Sequence, residues 1–198
     1  MATRNQLNPP PLRKITDFKS KLSGGGARSN LFECELAFPQ EVGVQDLNEV
    51  LNKARFLVKA ANLPASNVAP IEVPFRGRIL KIAGDRTFDT WTITIINDTD
   101  FAIRSAFEKW MNTINRVSDN TGKTNPADYQ ADAFVFQLDR SGETLRKYKF
   151  YDVFPTQVAP IELSYDAQGI QEFQVELQVL YWEAIKGNGA NAGGEDIN

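Results

Sequence analysis

Phe173-Gln174-Val175-Glu176-Leu177-Gln178-Val179-Leu180-Tyr181 alternates bulky apolar side chains with amides and a carboxylate over most of its length. Successive side chains of an extended chain point to opposite faces, so Phe173, Val175, Leu177, Val179 and Tyr181 share one face and Gln174, Glu176 and Gln178 the other. A strand of this kind buries one side and wets the other. That is the habit of antiparallel sheets, because strands of a parallel sheet are covered on both faces and read as unbroken apolar runs.

Upstream, Leu163 and Tyr165 precede a turn at Asp166 to Gly169 and supply the preceding strand. Phe134, Phe136 and Leu138 form another, and Ser141-Gly142 turns the chain into the run from Thr144 to Val153, which predicts a hairpin. β-Branched and aromatic residues dominate Phe75 to Ile82 and Thr90 to Asn97, predicting two strands joined by a polar loop at Gly84 to Asp89. Near the start, Phe32, Cys34, Leu36 and Phe38 alternate with Glu33, Glu35 and Ala37. Two segments carry the helical period instead. Val44, Leu47, Val50 and Leu51 make the first, with a short strand following at Phe56 to Ala60. In the second, Ile103, Phe107, Trp110 and Ile114 recur at spacings of four, three and four, and Asp98 or Asp100 stands where a cap is needed. It is the one long helix expected. Its two large aromatics require a sheet to dock on, so Phe107 and Trp110 are predicted to pack near a core face made by Trp91, Ile93 and Ile95. The fold class is mainly β: an antiparallel sandwich or barrel with one helix against it. The edges of such a sheet carry unpaired backbone groups, which must be covered, shortened or paired with another chain.

A chain of 198 residues with 42% hydrophobic content suits one domain with decorated ends. Residues 1–29 read as an arm: a proline cluster at Pro9 to Pro11, an amphipathic helix with Ile15, Phe18 and Leu22, then a glycine joint at Gly24 to Gly26. Residues 30–186 form the domain. Residues 187–198 are too poor in apolar surface to offset their ordering entropy and are expected to be a disordered tail. No run is long enough to span a bilayer, and the N-terminus lacks a secretory apolar stretch, so no membrane role and assembly in a cytoplasm are expected.

Chemistry is scarce. The chain has no histidine, which removes the commonest general base, metal ligand and triad member together. Its one cysteine, Cys34, sits at an apolar position of an alternating segment and reads as a small buried hydrophobe. The net charge of -3 lacks the basic excess that grips phosphates. Glu33 and Glu35 on one strand face read as solvated acids rather than a glycosidase pair. Arg76, Arg78 and Lys81, with Lys53, Arg55 and Lys59, read as pairing or interface charge. The glycines at 24–26 lack the Lys-Ser/Thr of a phosphate loop, and Asp85, Asp89, Asp98 and Asp100 are too irregular for a calcium loop. No catalytic, metal or cofactor site is expected, and the chain is read as no enzyme.

Three stretches carry a resemblance. They are Asn62-Leu63-Pro64-Ala65; Ile71-Glu72-Val73-Pro74-Phe75 with Gly77-Arg78; and, above all, Gly84-Asp85-Arg86-Thr87-Phe88-Asp89-Thr90-Trp91-Thr92-Ile93-Thr94-Ile95-Ile96-Asn97-Asp98. With Ser29 to Cys34, Phe154-Pro155-Thr156, Leu163 to Asp166 and Tyr181-Trp182-Glu183, they resemble the tail tube proteins of T4-type contractile phages. The resemblance implies two packed antiparallel sheets with a flanking helix, six copies closing into a ring with a continuous β-barrel, and rings stacked into an inner tube. It implies a virion structural protein whose partners are its own copies and the tail sheath, baseplate and tail terminator proteins. DNA would pass through the lumen without specific binding, past a wall expected to be rich in acids and amides. The N-terminal extension, residues 41–53 and the C-terminal tail depart from the pattern.

Within this frame Asp85, Arg86, Asp89, Arg76 and Arg78 are candidate ring contacts, with local pairing of Arg86 to an aspartate left as an equal reading. Ile15, Phe18 and Leu22 are a candidate inter-ring arm, or else a helix folded back on its own sheet. Two other functions stay open: a tube protein of a non-phage contractile injection system, and a monomeric β-sandwich that binds carbohydrate through Trp182 or Tyr148.

Overall fold

A computed structural model describes residues 14–22 and 26–186. The Pro9 to Pro11 cluster, Gly24, Gly25 and the tail from Gly187 lie outside the described residues. Nine strands and four α-helices are present among those described.

Seven strands form one antiparallel path. β1 (Phe32–Glu35) pairs with β6 (Ala131–Leu138), and β6 pairs with β7 (Thr144–Val158), whose 15 residues are the spine of the domain. β8 (Glu172–Gln178) follows, then β5 (Trp91–Ile96) and β2 (Val58–Ala61), giving the order β1-β6-β7-β8-β5-β2, with β9 (Tyr181–Lys186) on the free side of β7. The first ten residues of β7 pair with β6 and β9; its last five pair with β8. Between the two stretches Asp152 has φ of 53° and the register with β6 shifts, so β7 bends there. The bend turns the path back on itself and brings the inner faces of its two halves together. Trp91 of β5 stacks on Phe150 of β7 at 4.5 Å, with the rings 5° from parallel.

One core fills the space between them. Alternation places Cys34, Val135, Phe150, Ile93, Ile95, Phe173, Val175 and Leu177 inside, all buried. Helix α3 (Ala102–Ile114) closes one side, burying Ile103, Phe107 and Trp110. Phe38 wedges edge-on between the last two, 5.2 Å from Phe107 and 5.3 Å from Trp110, and the Trp110 indole N–H donates to the Tyr129 carbonyl at 2.6 Å. The core residues Trp91, Ile93, Ile95, Phe107 and Trp110 are all 2% exposed or less. The Asp100 carboxylate receives the Ala102 N–H at 3.0 Å, satisfying a donor at the start of α3.

The structure corrects several expectations. The helix expected at Val44 to Leu51 is present as α2 (Leu47–Leu57), beside α3, burying Val50 and Ala54, but its last turn absorbs Phe56, so the strand predicted from Phe56 starts only at Val58. Leu163 and Tyr165 lie in an exposed loop, where no described strand pairs with their backbone. The run from Phe173 divides at Val179-Leu180 into β8 and β9, and Tyr181 ends on the outer face, stacked on Tyr151. Finally, Gly84 to Phe88 of the predicted loop are strand. They belong to a hairpin made by β3 (Ser66–Phe75) and β4 (Arg78–Phe88), whose turn is Arg76-Gly77. β3 escapes sequence reading because Pro70 and Pro74 punctuate it.

Candidate assembly interface

The β3–β4 hairpin is a separate two-stranded sheet. Arg76 and Gly77 have φ of 44° and 81°, the paired positive values of a type I′ turn, which matches the twist of the strands it joins. Nearer the base the register shifts between Val68 and Pro70, and Gly84 approaches the partner strand so closely that a Cβ there would lie 2.6 Å from the Ala69 carbonyl oxygen. Only glycine fits.

Register assigns the two faces. Ile71 lies opposite Ile82, Val73 opposite Leu80, and Phe75 opposite Arg78, so five apolar side chains share one face; Glu72 lies opposite Lys81 on the other and pairs with it at 3.2 Å. The five are all exposed, Phe75 at 66% and Leu80 at 59%. Two-stranded ribbons are marginal in water and monomers rarely show so continuous an apolar surface, so this face requires a cover. The edges differ as well. Pro70 and Pro74 have the same parity and lack N–H donors, so their ladder with β4 is intact only if those positions fall on the outer edge of β3. β3 is thereby blunted against pairing, while β4 carries no proline along its length.

The candidate ring contacts all lie on or beside this hairpin. Arg76 and Arg78 flank its tip, Arg76 reaching over the Phe75 ring at 5.4 Å. Asp85 sits at the bulge. Arg86 stands opposite Val68, and no ion pair of its side chain is seen among the described residues. Asp89 anchors the base: its carboxylate accepts from the Asn67 amide at 3.0 Å, and its backbone N–H donates to the Ala65 carbonyl.

The domain presents two unlike outer sheet faces. On the β5–β8 half, Thr92 lies opposite Glu176, Thr94 opposite Gln174 and Ile96 opposite Glu172. A cation on this side, Lys59, is 2.6 Å from Glu172. On the β6–β7–β9 half, Lys147 sits over Phe134 at 4.0 Å and Phe136 at 4.9 Å, and Lys149 lies 4.1 Å from the Tyr151 ring and 2.8 Å from Asp132. Tyr151 donates to Glu183, and this hydrogen bond, which only the neutral phenol can give, raises it above its ordinary pKa. Lys53 of α2 ties Asp98 (3.2 Å) and Asp100 at the head of α3, and this lysine holds the Asp100 carboxyl down at about 2.

Helix α1 (Ile15–Lys21) carries the arm residues. Ile15, Phe18 and Leu22 are exposed and the helix buries nothing, so it is not folded onto its own sheet. The carbohydrate-binding reading loses its platform: Tyr148 is buried, and Trp182 packs edge-on against it at 5.8 Å and against Phe88 at 6.2 Å. Burial raises the Cys34 thiol to about 12, leaving it neutral and unreactive. Among the described residues no group of three or more His, Cys, Asp or Glu side chains is arranged to hold a metal.

Comparison with known proteins agrees with this geometry. A family model described as phage tail tube protein matches residues 27–184. The chain is 34% identical over 163 residues to the tail tube protein of Enterobacteria phage T4, covering 81% of this chain and 93% of that one. It is 25% identical over 174 residues to a tail tube protein of Serratia phage KSP90, covering 86% and 96%. Its fold is similar to a chain of the six-fold symmetrised anti-feeding prophage baseplate, with TM-score 0.61 at 12% identity over 82% of this chain and 96% of that one. It is similar also to a chain of the sheath–tube complex of an extracellular contractile injection system, with TM-score 0.54 at 13% identity over 83% and 95%.

Proposed function

The chain belongs to the phage tail tube protein family, and from that premise we propose that its copies close into six-membered rings stacked as the inner tube of a contractile tail, without catalysis. The observation that carries the reading is the β3–β4 hairpin, with an exposed apolar face and one unblunted strand edge. In a ring each hairpin lies on the next copy, covering Ile71, Val73, Phe75, Leu80 and Ile82 and extending a neighbour's sheet through β4, so edges vanish as they do in a barrel. Arg76, Arg78 and Arg86 then meet the adjoining copy, with Asp85 and Asp89 shaping the hairpin's base. Sequence identity lies with phage proteins, which favours a phage tail over another injection machine.

The two outer faces sort by charge. DNA carries one negative charge per ~1.7 Å of axis, so a channel that must not hold it needs a wall without free cations. The face of Thr92, Thr94, Gln174 and Glu176 meets that need and lines the lumen. The lysine and aromatic face of β6, β7 and β9 points outward, where the sheath would meet it; baseplate and terminator proteins would cap the ends.

Negative-stain microscopy of the purified full chain tests the reading. Rings about six subunits round, growing into tubes with concentration, are expected, and Leu80→Asp is expected to leave a folded monomer. Wild-type protein that stays monomeric at every concentration, even with baseplate seeds, overturns it.

A further inference from the structure

Two surfaces remain without a role in ring closure. One is α1, which precedes the residues that the tail tube family model matches. Ile15 and Phe18 stand at i and i+3 of it and Leu22 caps its C-terminal end, 68%, 61% and 45% exposed, with Lys14, Lys19 and Lys21 around them against the single acid Asp17. The other is the loop between β7 and β8. Leu163, Tyr165 and Ile170 are exposed there, with Glu162 and Asp166 beside them and no lysine or arginine from Pro160 to Gln171. Its residues wall a shallow groove in which Pro160, Leu163 and Ile170 take part.

We propose that α1 of one copy docks in the 160–171 loop groove of a second copy, tying subunits together beyond the hairpin contact. The fit has two parts. Each surface offers three large apolar side chains left exposed among the described residues, and the charges around them are opposite, net +2 on Lys14 to Leu22 and net -2 on Pro160 to Gln171. A helix of seven residues buries too little for a stable dimer alone. Repeated once per subunit in a polymer already held by other contacts, the same weak contact acts intramolecularly and adds avidity. The arm is thus a fastener rather than a nucleus of assembly, and its charge component makes it loosen with salt.

The proposal rests on the tube reading, and disulfide trapping separates the two. Because Cys34 is buried, Phe18→Cys and Tyr165→Cys can be introduced singly at exposed positions without a competing thiol. The two full-length variants are mixed, assembled into tubes and oxidised gently. A disulfide-linked dimer between the two variants, absent when either is oxidised alone and suppressed in Lys19→Glu/Lys21→Glu protein, is expected. Normal tubes without that dimer overturn the docking and leave the tube reading intact; mixtures forming no tubes where wild-type also forms none remove both. A protein carrying both cysteines that links only within its own chain overturns the docking too, as does equal loss of the arm to anionic phosphatidylserine vesicles with no cross-link in tubes.

Discussion

Single side chains here act through shape more than charge. Trp110 is buried, edge-on to Phe38 and hydrogen-bonded to the Tyr129 carbonyl, so Trp110→Ala leaves a cavity and an unsatisfied acceptor. A loss of about 3–5 kcal/mol is expected, read by urea unfolding of the unassembled protein. Gly84 is the opposite case. A Cβ there would lie 2.6 Å from the Ala69 carbonyl oxygen, so Gly84→Val should splay the hairpin and abolish tubes while near-ultraviolet circular dichroism of the core stays native. The core was legible in the sequence because Trp91, Ile93, Ile95, Phe107 and Trp110 sit on a clear period of two or 3.6. Gly84 was not, since its constraint comes from a strand fifteen residues away that prolines disguise.

Elements divide into those that hold the domain and those that await a partner. α2 and α3 are clamped through Lys53, Asp98 and Asp100. Asp100 is depressed to about 2 by Lys53, so its contribution is present above the ordinary carboxylate pKa and lost as pH falls through about 2. Thermal unfolding midpoints of wild-type and Lys53→Met should therefore differ at neutral pH and converge on acidification toward pH 2; a gap that persists there refutes the clamp. The hairpin is the awaiting element. Val73→Asp should block assembly yet leave the unfolding midpoint of the unassembled chain unchanged, since that side chain touches no core. The sequence marked residues 84–89 as special but took them for a loop: Arg76-Gly77, with no asparagine or aspartate, is a weak turn signal, whereas Gly84 and Asp85 imitate one.

At the scale of the whole molecule, the two outer faces decide what the tube touches. Gln174→Lys with Glu176→Lys puts free cations on the face assigned to the lumen, and assembled tubes of that variant should retain double-stranded DNA at low salt where wild-type tubes let it go. Tubes that stay indifferent to DNA would move the lumen to another face. Alternation along Phe173 to Val179 and the apolar stripe of α3 were enough to establish a β-rich, core-forming chain. These are local signals, fixed by which side chains must leave water within a few residues of one another. Only the tertiary structure decided that β7 bends at Asp152 to serve both halves of the sheet, that β8 and β9 part at Leu180, and that β3 and β4 stand apart with an uncovered face. Those outcomes depend on backbone hydrogen bonds between segments far apart in the chain and on positive φ at single residues, and neither leaves a period in the sequence.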